Sequence, residues 1–207
     1  MSAPDQASPN TEALRKIKEE LLNNKDLPLY AYRTENNYFP VIGEGNHEAE
    51  VMLIGEAPGK NEAMTGKPFC GASGRILDGI LQAVKLDRTS VYVTNTVKDR
   101  PPENRDPLPA EIEAYVPYLD RQIDILKPKA ILTLGRFSMA HIMQRFSLPF
   151  ETISKCHGKT YTCNASWGSF VFVPLYHPAS ALYSPSLKGT LIEDMKKAMS
   201  AIGKPVS

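Results

Sequence analysis

Residues 50–62 read EVMLIGEAPGKNE, and this stretch decides the fold of the chain. Its first part, residues 50–54, is a short apolar run rich in residues that favour β-structure, which predicts a buried strand. Its second part places Gly55 and Gly59 around a proline, which predicts a tight turn directly after the strand. A buried strand that ends in such a turn is typical of a parallel sheet with a ligand beyond its carboxyl edge.

Three further runs have the same character as this strand. They are residues 90–94 (SVYVT), 130–134 (AILTL) and 170–175 (FVFVPL). Apolar residues at helical spacing predict helices over residues 11–22, 74–85, 110–126, 136–146 and 187–202. Strands that alternate with helices imply crossover connections, so we expect an α/β fold with a parallel sheet covered on both faces.

The layout predicts one domain with little outside it. Residues 1–10 are polar and contain two prolines, so we expect a flexible N-terminal tail before a single domain at residues 11–207. Residues 23–48, called the N-terminal arm below, lack a clear period and are predicted to be irregular.

Composition excludes several classes of protein. With 24 basic and 23 acidic side chains and 42% hydrophobic residues, the chain is neither disordered nor coated with positive charge. It has no apolar stretch of the ~18 residues that a membrane helix needs and no secretory signal, so a cytoplasmic location is expected. Three cysteines, Cys70, Cys156 and Cys163, without a CxxC pair indicate reduced thiols.

Each predicted strand ends in a polar or glycine-rich phrase. The phrases are GEAPG at 55–59, NTVK at 95–98, GRFS at 135–138 and YHPA at 176–179. Because ligands bind beyond the carboxyl ends of parallel strands, one edge of the sheet is expected to collect Glu56, Asn95, Arg136 and His177. A carboxylate, an amide, a cation and an imidazole at one edge predict a functional site.

The individual phrases are open to more than one interpretation. The Gly55–Gly59 turn followed by Lys60 superficially resembles a phosphate-binding loop, but it is one residue short and lacks the hydroxyl that holds magnesium. It either simply leaves the strand or brings backbone amides close to a ligand. Asn95 offers a donor and an acceptor for a base edge, or caps a turn. Phe69 either stacks on a planar ring or belongs to the core.

Together these phrases resemble the family-four (thermostable-type) uracil-DNA glycosylases of the uracil-DNA glycosylase superfamily. The matching stretches, in the family's order, are GEGN at 43–46, GEAPG at 55–59, TGKPFCGASGRIL at 65–77, VYVTNTVKDRPPENRDPLP at 91–109, LTLGRFS at 132–138 and YHPA at 176–179. The resemblance covers residues 24 to about 200. Its combination of motifs is highly specific, although GEAPG alone would not be.

The resemblance implies a three-layer α/β/α fold around a four-stranded parallel sheet. It also implies hydrolysis of the N-glycosidic bond of uracil in single- or double-stranded DNA, which leaves an abasic site. Glu56 and Glu62 match the acidic positions of the first motif, Phe69 the aromatic that stacks on uracil, Asn95 the amide that reads its N3/O4 edge and His177 the imidazole at O2. The pocket is expected to include Gly55, Ala57, Pro58 and Cys70 as well.

The resemblance further implies contact with DNA around this pocket. The segment with Ser180, Leu182, Tyr183 and Ser186 corresponds to the loop that enters the duplex as the base leaves. Basic candidates for a phosphate-binding rim are Lys67, Arg75, Lys98, Arg100, Arg105, Arg136 and Lys188. We expect a monomer that needs no membrane.

The chain departs from the family at the four cysteines that usually ligate a [4Fe–4S] cluster. Their positions correspond to Asn24, Leu27, Asp99 and Tyr115, and none of these supplies a thiolate. We therefore expect no metal and no cofactor. Packing of Tyr30, Tyr32, Tyr115 and Tyr118 is expected to tie the N-terminal arm to the loop that follows residue 98.

The resemblance also carries expectations about mechanism. Ala57 stands where some superfamily members have a water-orienting aspartate, so we expect Glu62 to position the water and Glu56 to shape the pocket. No lysine is placed for lyase chemistry, and residues 99–109 contain no His for covalent trapping of DNA. Two alternatives stay open: a non-catalytic DNA-binding relative, and a glycosylase for another deaminated base such as hypoxanthine.

Overall fold

Residues 7–204 are described by a computed structural model. The strands are β1 (Glu44–Gly45), β2 (Val51–Gly55), β3 (Tyr92–Asn95), β4 (Ala130–Leu134), β5 (Tyr161–Ala165) and β6 (Gly168–Leu175). The helices are α1 (Pro9–Asn23), α2 (Tyr30–Glu35), α3 (Lys60–Thr65), α4 (Ala72–Ala83), α5 (Pro109–Leu126), α6 (Arg136–Arg145), α7 (Ile153–Cys156), α8 (Ser180–Tyr183) and α9 (Ser186–Ala201).

The strands form one six-stranded sheet in the order β1-β3-β2-β4-β6-β5. The central four, β3, β2, β4 and β6, are the four predicted strands, and they run parallel as expected. The two edge strands are antiparallel and were not predicted. A strand of two residues, β1, is too short to show a period, and β5 alternates between exposed and buried residues with a polar sequence, YTCNA.

Two apolar clusters, one on each face of the sheet, confirm the three-layer fold. Successive side chains of a strand point to opposite faces, and all five residues of β2 are buried. Met52 and Ile54 belong to the cluster that α1, α5 and α6 cover, whereas Val51 and Leu53 belong to the cluster that α4 and α9 cover. A strand that is apolar on both faces can only lie in the middle of a sheet with helices above and below it.

The first helix begins earlier in the chain than the sequence predicted. Helix α1 begins at Pro9, and the side chain of Ser8 caps it by accepting from the backbone N–H of Thr11 at 3.3 Å. The boundary of the predicted tail at residue 10 is therefore too late, and residues 1–6 of that tail lie outside the described residues. Within residues 7–204, no helix is long and apolar enough to cross a membrane.

Candidate active site

A pocket opens at the carboxyl edge of the central strands, where the sequence placed the site. Its volume is about 380 Å³. The residues that line it are Glu56, Ala57, Gly59, Glu62, Phe69, Ser73, Asn95, Asn104, His177, Ala179 and Tyr183. The expected meeting of Glu56, Asn95 and His177 is thus seen. Arg136, the fourth expected member, does not line the pocket.

The floor of the pocket is built by strand register. Asn95 is the last residue of β3, lies beside Gly55 at the end of β2 and is 2% exposed. A Cβ atom on Gly55 would lie 2.4 Å from Asn95 Oδ1 and 2.6 Å from the ring carbon Cζ of Phe69. Gly55 therefore allows the amide and the ring to meet. No hydrogen bond among the described residues engages the Asn95 amide, so the amide is free to bind a ligand.

The loop that carries Phe69 is held by Glu62. Phe69 has a left-handed backbone with φ 49° and is 5% exposed. Oε1 of Glu62 accepts from the backbone N–H groups of Cys70, at 3.0 Å, and Gly71, at 2.8 Å. A buried carboxylate on α3 thus fixes the residues directly after the ring.

His177 is a neutral hydrogen-bond donor. Its ring lies 5.8 Å from that of Phe69, centroid to centroid, and is stacked on it. Burial lowers the pKa of His177 to about 4, against an opposing effect of Glu62. Because Nδ1 accepts from the backbone N–H of Ala179 at 3.1 Å, the ring proton resides on Nε2. The site therefore offers an uncharged N–H from the imidazole.

Glu56 is the titratable carboxyl of the pocket. Burial raises the pKa of Glu56 to about 7, Asp106 adds to the rise and Arg136 opposes it. Among residues 7–204, no hydrogen bond engages the Glu56 side chain, and only its main-chain oxygen accepts one, from the backbone N–H of Val97 at 2.9 Å. A carboxyl with such a pKa and no protein partner can bind water and exchange a proton near neutral pH.

The prediction that Lys98 contacts DNA is wrong, because Lys98 has no exposed surface. Its ammonium group donates to Thr94 Oγ1, the Asn95 main-chain oxygen and Gln122 Oε1. Arg100 is 9% exposed, with its guanidinium engaged by Asn104, Tyr32 and Tyr38. Neither cation lies on an open rim.

Other predicted contact residues lie around the mouth of the pocket or beside it. Tyr183 is 89% exposed and lines the mouth, and Leu182 next to it is 46% exposed. Arg136 is exposed and pairs with Asp106. Outside the pocket lining are Gly55, Pro58, Lys67, Cys70, Ser180 and Ser186, of which Lys67, Cys70 and Ser186 are exposed.

The four positions that correspond to cluster ligands do not fit an iron–sulfur cluster. Asp99 accepts from Arg33 Nη1, at 3.1 and 2.9 Å, and from the Tyr115 hydroxyl, at 2.5 Å. Asn24 donates to the Tyr118 hydroxyl at 2.9 Å, and Leu27 is part of the apolar core. Within the described ranges, no three His, Cys, Asp or Glu side chains are grouped to hold a metal ion.

The predicted packing of tyrosines is present in part, because Tyr115 belongs to the apolar core and Tyr30 and Tyr118 pack against it. The polar contacts of Asp99 with Arg33 and Tyr115 and of Asn24 with Tyr118, called the polar joint below, were not predicted. The Tyr115 hydroxyl donates to Asp99, and the Tyr118 hydroxyl accepts from Asn24. The central member, Arg33, was missed because its partner is 66 residues away in the chain. Arg33 also lies over the ring of Tyr30, 4.8 Å from its centroid.

Sequence reasoning also missed four residues that line the pocket, namely Gly59, Ser73, Asn104 and Ala179. Gly59 belongs to the GEAPG phrase, Ala179 to YHPA and Ser73 to the stretch at 65–77, so their place in these recognised motifs was a usable signal. Asn104 lies in the recognised stretch at 91–109, nine positions beyond Asn95, but the contact with Arg100 that holds its side chain was not predicted.

The fold and this site define the class of protein. The family model for the uracil DNA glycosylase superfamily matches residues 42–200, and the chain belongs to that superfamily. Similar proteins include the Type-4 uracil-DNA glycosylase of Sulfurisphaera tokodaii, 46% identical over 90% of this chain and 83% of the relative. Those of Saccharolobus solfataricus and Archaeoglobus fulgidus are both 42% identical, over 92% and 93% of this chain and 88% and 95% of the relatives.

Proposed function

We propose that this chain is a monofunctional uracil-DNA glycosylase that works without an iron–sulfur cluster. It hydrolyses the N-glycosidic bond of uracil in DNA and leaves an abasic site, the first step of base excision repair. The observation that carries the proposal is the convergence on one pocket of an unpartnered side-chain amide, Asn95, a buried aromatic ring, Phe69, and a neutral imidazole, His177. The names of the similar Type-4 enzymes support the same reaction.

The floor of the pocket suits a uracil ring that has left the duplex. A base inside a stacked helix is out of reach, so it must be flipped or offered on a single strand. Phe69 stacks on the ring, and Asn95 accepts from N3–H while it donates to O4. Cytosine presents the inverse pattern at this edge, so the same amide rejects it.

His177 stabilises the leaving group. Cleavage produces an oxocarbenium-like sugar and a uracil anion with charge on O2. The Nε2–H of the neutral imidazole donates a hydrogen bond to that oxygen. The backbone amides of the turn near Ala57 lie at the same pocket and add to this stabilisation.

Glu56 positions the attacking water in this proposal, which reverses the expectation for the two carboxylates. Glu62 is committed to two backbone N–H groups of the Phe69 loop, so it shapes the pocket. Glu56 has no such commitment and lines the cavity. Its pKa of about 7 leaves a large ionised fraction at neutral pH.

Cleavage of an oligonucleotide with one labelled uracil tests the proposal. Single-stranded, U·G and U·A substrates are incubated with the protein in EDTA and then treated with alkali. We expect strand breaks only after alkali, and a loss of about 10²–10³-fold in kcat for His177→Ala. His47→Ala serves as the matched control, because His47 lies beside the Tyr92 ring and does not line the pocket.

If the wild-type protein does not excise uracil, its other activities distinguish the two alternative functions. A folded protein that leaves uracil in all three substrates but excises hypoxanthine is a glycosylase for another deaminated base. One that binds DNA and excises neither base is a non-catalytic relative. A cytoplasmic location, which the three free thiols support, and a monomeric state complete the proposal. Size-exclusion chromatography checks the oligomeric state.

A further inference from the structure

Two consecutive residues of the loop after β3 have a left-handed backbone. Glu103 has φ 56° and Asn104 has φ 55°, and neither is glycine. Side chains rarely adopt this conformation unless the surroundings enforce it, and such residues cluster at functional sites. Only one of the two faces the pocket: Asn104 lines it, whereas Glu103 does not.

A hydrogen bond from Arg100 holds the Asn104 side chain. Nε of Arg100 donates to Asn104 Oδ1 at 2.7 Å. Arg100 is itself fixed, because its Nη1 donates to the hydroxyls of Tyr38, at 2.9 Å, and Tyr32, at 3.3 Å. Its guanidinium also lies 5.4 Å from the centroid of the Tyr38 ring. Arg100 thus connects two tyrosines of the N-terminal arm to a residue that lines the pocket.

This contact decides which way the amide faces. A guanidinium has only donors, so the atom of Asn104 that faces it must be the oxygen. The amino group, Nδ2, then points away from Arg100, and no hydrogen bond engages it within the part of the chain that the structure describes. A cation behind the oxygen polarises the amide and strengthens Nδ2 as a donor.

We propose that Asn104 Nδ2 binds a phosphodiester oxygen of the flipped deoxyuridine. The inference rests on the proposed function. The base occupies the floor, where Asn95 and Phe69 are 2% and 5% exposed, so the sugar and phosphate stay at the mouth, where Asn104 is exposed. Glu56 brings negative charge to this part of the pocket when it is ionised, and the nearby Asp106 is paired with Arg136, so a neutral donor held by Arg100 attracts the phosphate without adding a further anion.

Glycine variants test the proposal with a matched pair. Asn104→Gly removes the side-chain amide, and glycine adopts the left-handed backbone without strain. Glu103→Gly makes the same backbone change one residue away. Binding is measured by fluorescence anisotropy with DNA that contains 2′-fluoro-deoxyuridine, whose glycosidic bond resists hydrolysis. We expect the Kd to rise about tenfold for Asn104→Gly, the size of one lost hydrogen bond, and to stay unchanged for Glu103→Gly.

Two further measurements identify the atom that Asn104 contacts. A methylphosphonate at the linkage next to the uracil is expected to weaken binding of the wild-type protein and to weaken binding of Asn104→Gly no further. Inhibition by free uracil is expected to be equal in both. If Asn104→Gly instead weakens inhibition by free uracil, the amide contacts the base and the proposal is overturned.

Equal Kd values for Asn104→Gly and Glu103→Gly would likewise overturn it. These outcomes are distinct from failure of the proposed function, because that failure is absence of uracil excision by the wild-type protein. Binding to the fluorinated DNA is read independently of excision, so the role of Asn104 is decided in either case.

Discussion

The ammonium nitrogen of Lys98 lies 2.6 Å from the main-chain oxygen of Asn95, the residue whose side chain faces the pocket floor. The same nitrogen donates to Thr94 Oγ1 at 2.8 Å and to Gln122 Oε1 at 2.5 Å. Burial holds the pKa of Lys98 well below its usual range. A fully buried lysine that satisfies three acceptors fixes the end of β3, and with it the amide that faces the substrate.

Lys98→Met removes these donors while it keeps most of the side-chain volume. We expect kcat/KM for uracil to fall by about tenfold to a hundredfold, because three buried acceptors lose their partner and residue 95 is no longer fixed. Steady-state kinetics well below the unfolding temperature checks this. Lys16→Met, on the exposed side of α1, is the control. Unchanged discrimination between uracil and cytosine in Lys98→Met would show that Lys98 does not position Asn95.

The carboxyl of Glu56 predicts how activity depends on pH. Its pKa of about 7 means that it is mostly protonated in mild acid and becomes ionised as the pH rises through neutrality. If the ionised form holds the water, kcat rises over the same range. His177, with a pKa of about 4, does not titrate there. A pH–rate profile of the wild-type protein should therefore show one acidic limb.

Glu56→Gln is expected to abolish that limb and to lower kcat by about 10²–10⁴-fold, the usual contribution of a general base. Glu62→Gln should keep the limb, because Glu62 acts through the Phe69 loop. A limb that persists in Glu56→Gln would assign the titration to another group.

Substitution of Gly55 by alanine is predicted to weaken base binding while the protein still folds. The methyl group of Gly55→Ala would lie 2.4 Å from Asn95 Oδ1, so the amide and the Phe69 ring must both move. We expect inhibition by free uracil to weaken by at least about tenfold. Gly189→Ala is the control, because a Cβ atom at Gly189 in α9 meets nothing within 4 Å. That variant should keep its activity and gain about 0.5–1 kcal/mol of stability. Equal inhibition constants in the two variants would contradict this account of the floor.

The joint of Arg33, Asp99 and Tyr115 makes a prediction about stability. Tyr115→Phe removes one hydrogen bond to a buried carboxylate and should lower the free energy of unfolding by about 1–2 kcal/mol. Asp99→Asn leaves the Arg33 charge buried without its partner and should cost more, about 3–5 kcal/mol. Urea titration measures both, with the exposed Tyr183→Phe as a control that should be neutral.

Elemental analysis of the purified protein completes this test. We expect no stoichiometric iron, because the four ligand positions carry an amide, an aliphatic group, a carboxylate and a phenol. One iron cluster per chain would refute the cluster-free assignment, whatever the stability of the variants.

The sequence predicted most of the sheet, because four of its strands are apolar on both faces and stand out as short runs. The meeting of Glu56, Asn95 and His177 was also predictable, since parallel strands bring their carboxyl ends to one edge. The edge strands β1 and β5 were not, because an edge strand is short or half-polar and owes its form to its neighbour.

The errors at the site share one physical origin. Lysine is ordinarily exposed, so Lys98 was placed on the surface, whereas its buried ammonium group is satisfied by Thr94, Asn95 and a glutamine 24 residues further on. Asn104 reaches the pocket because Arg100 holds it, and Arg100 depends on tyrosines more than 60 residues earlier. Contacts between such distant positions leave no periodic trace in a single sequence.

The joint around Asp99 has a consequence for how the molecule matures. An ion pair and a phenol hydroxyl are encoded in the chain, so this link forms as the protein folds and asks for no delivery of iron or sulfide. If the proposed cluster-free enzyme is correct, oxidants and chelators that strip thiolate-bound metal would leave this link intact. The connection between the N-terminal arm and the loop after β3 would then be independent of the redox state of its surroundings.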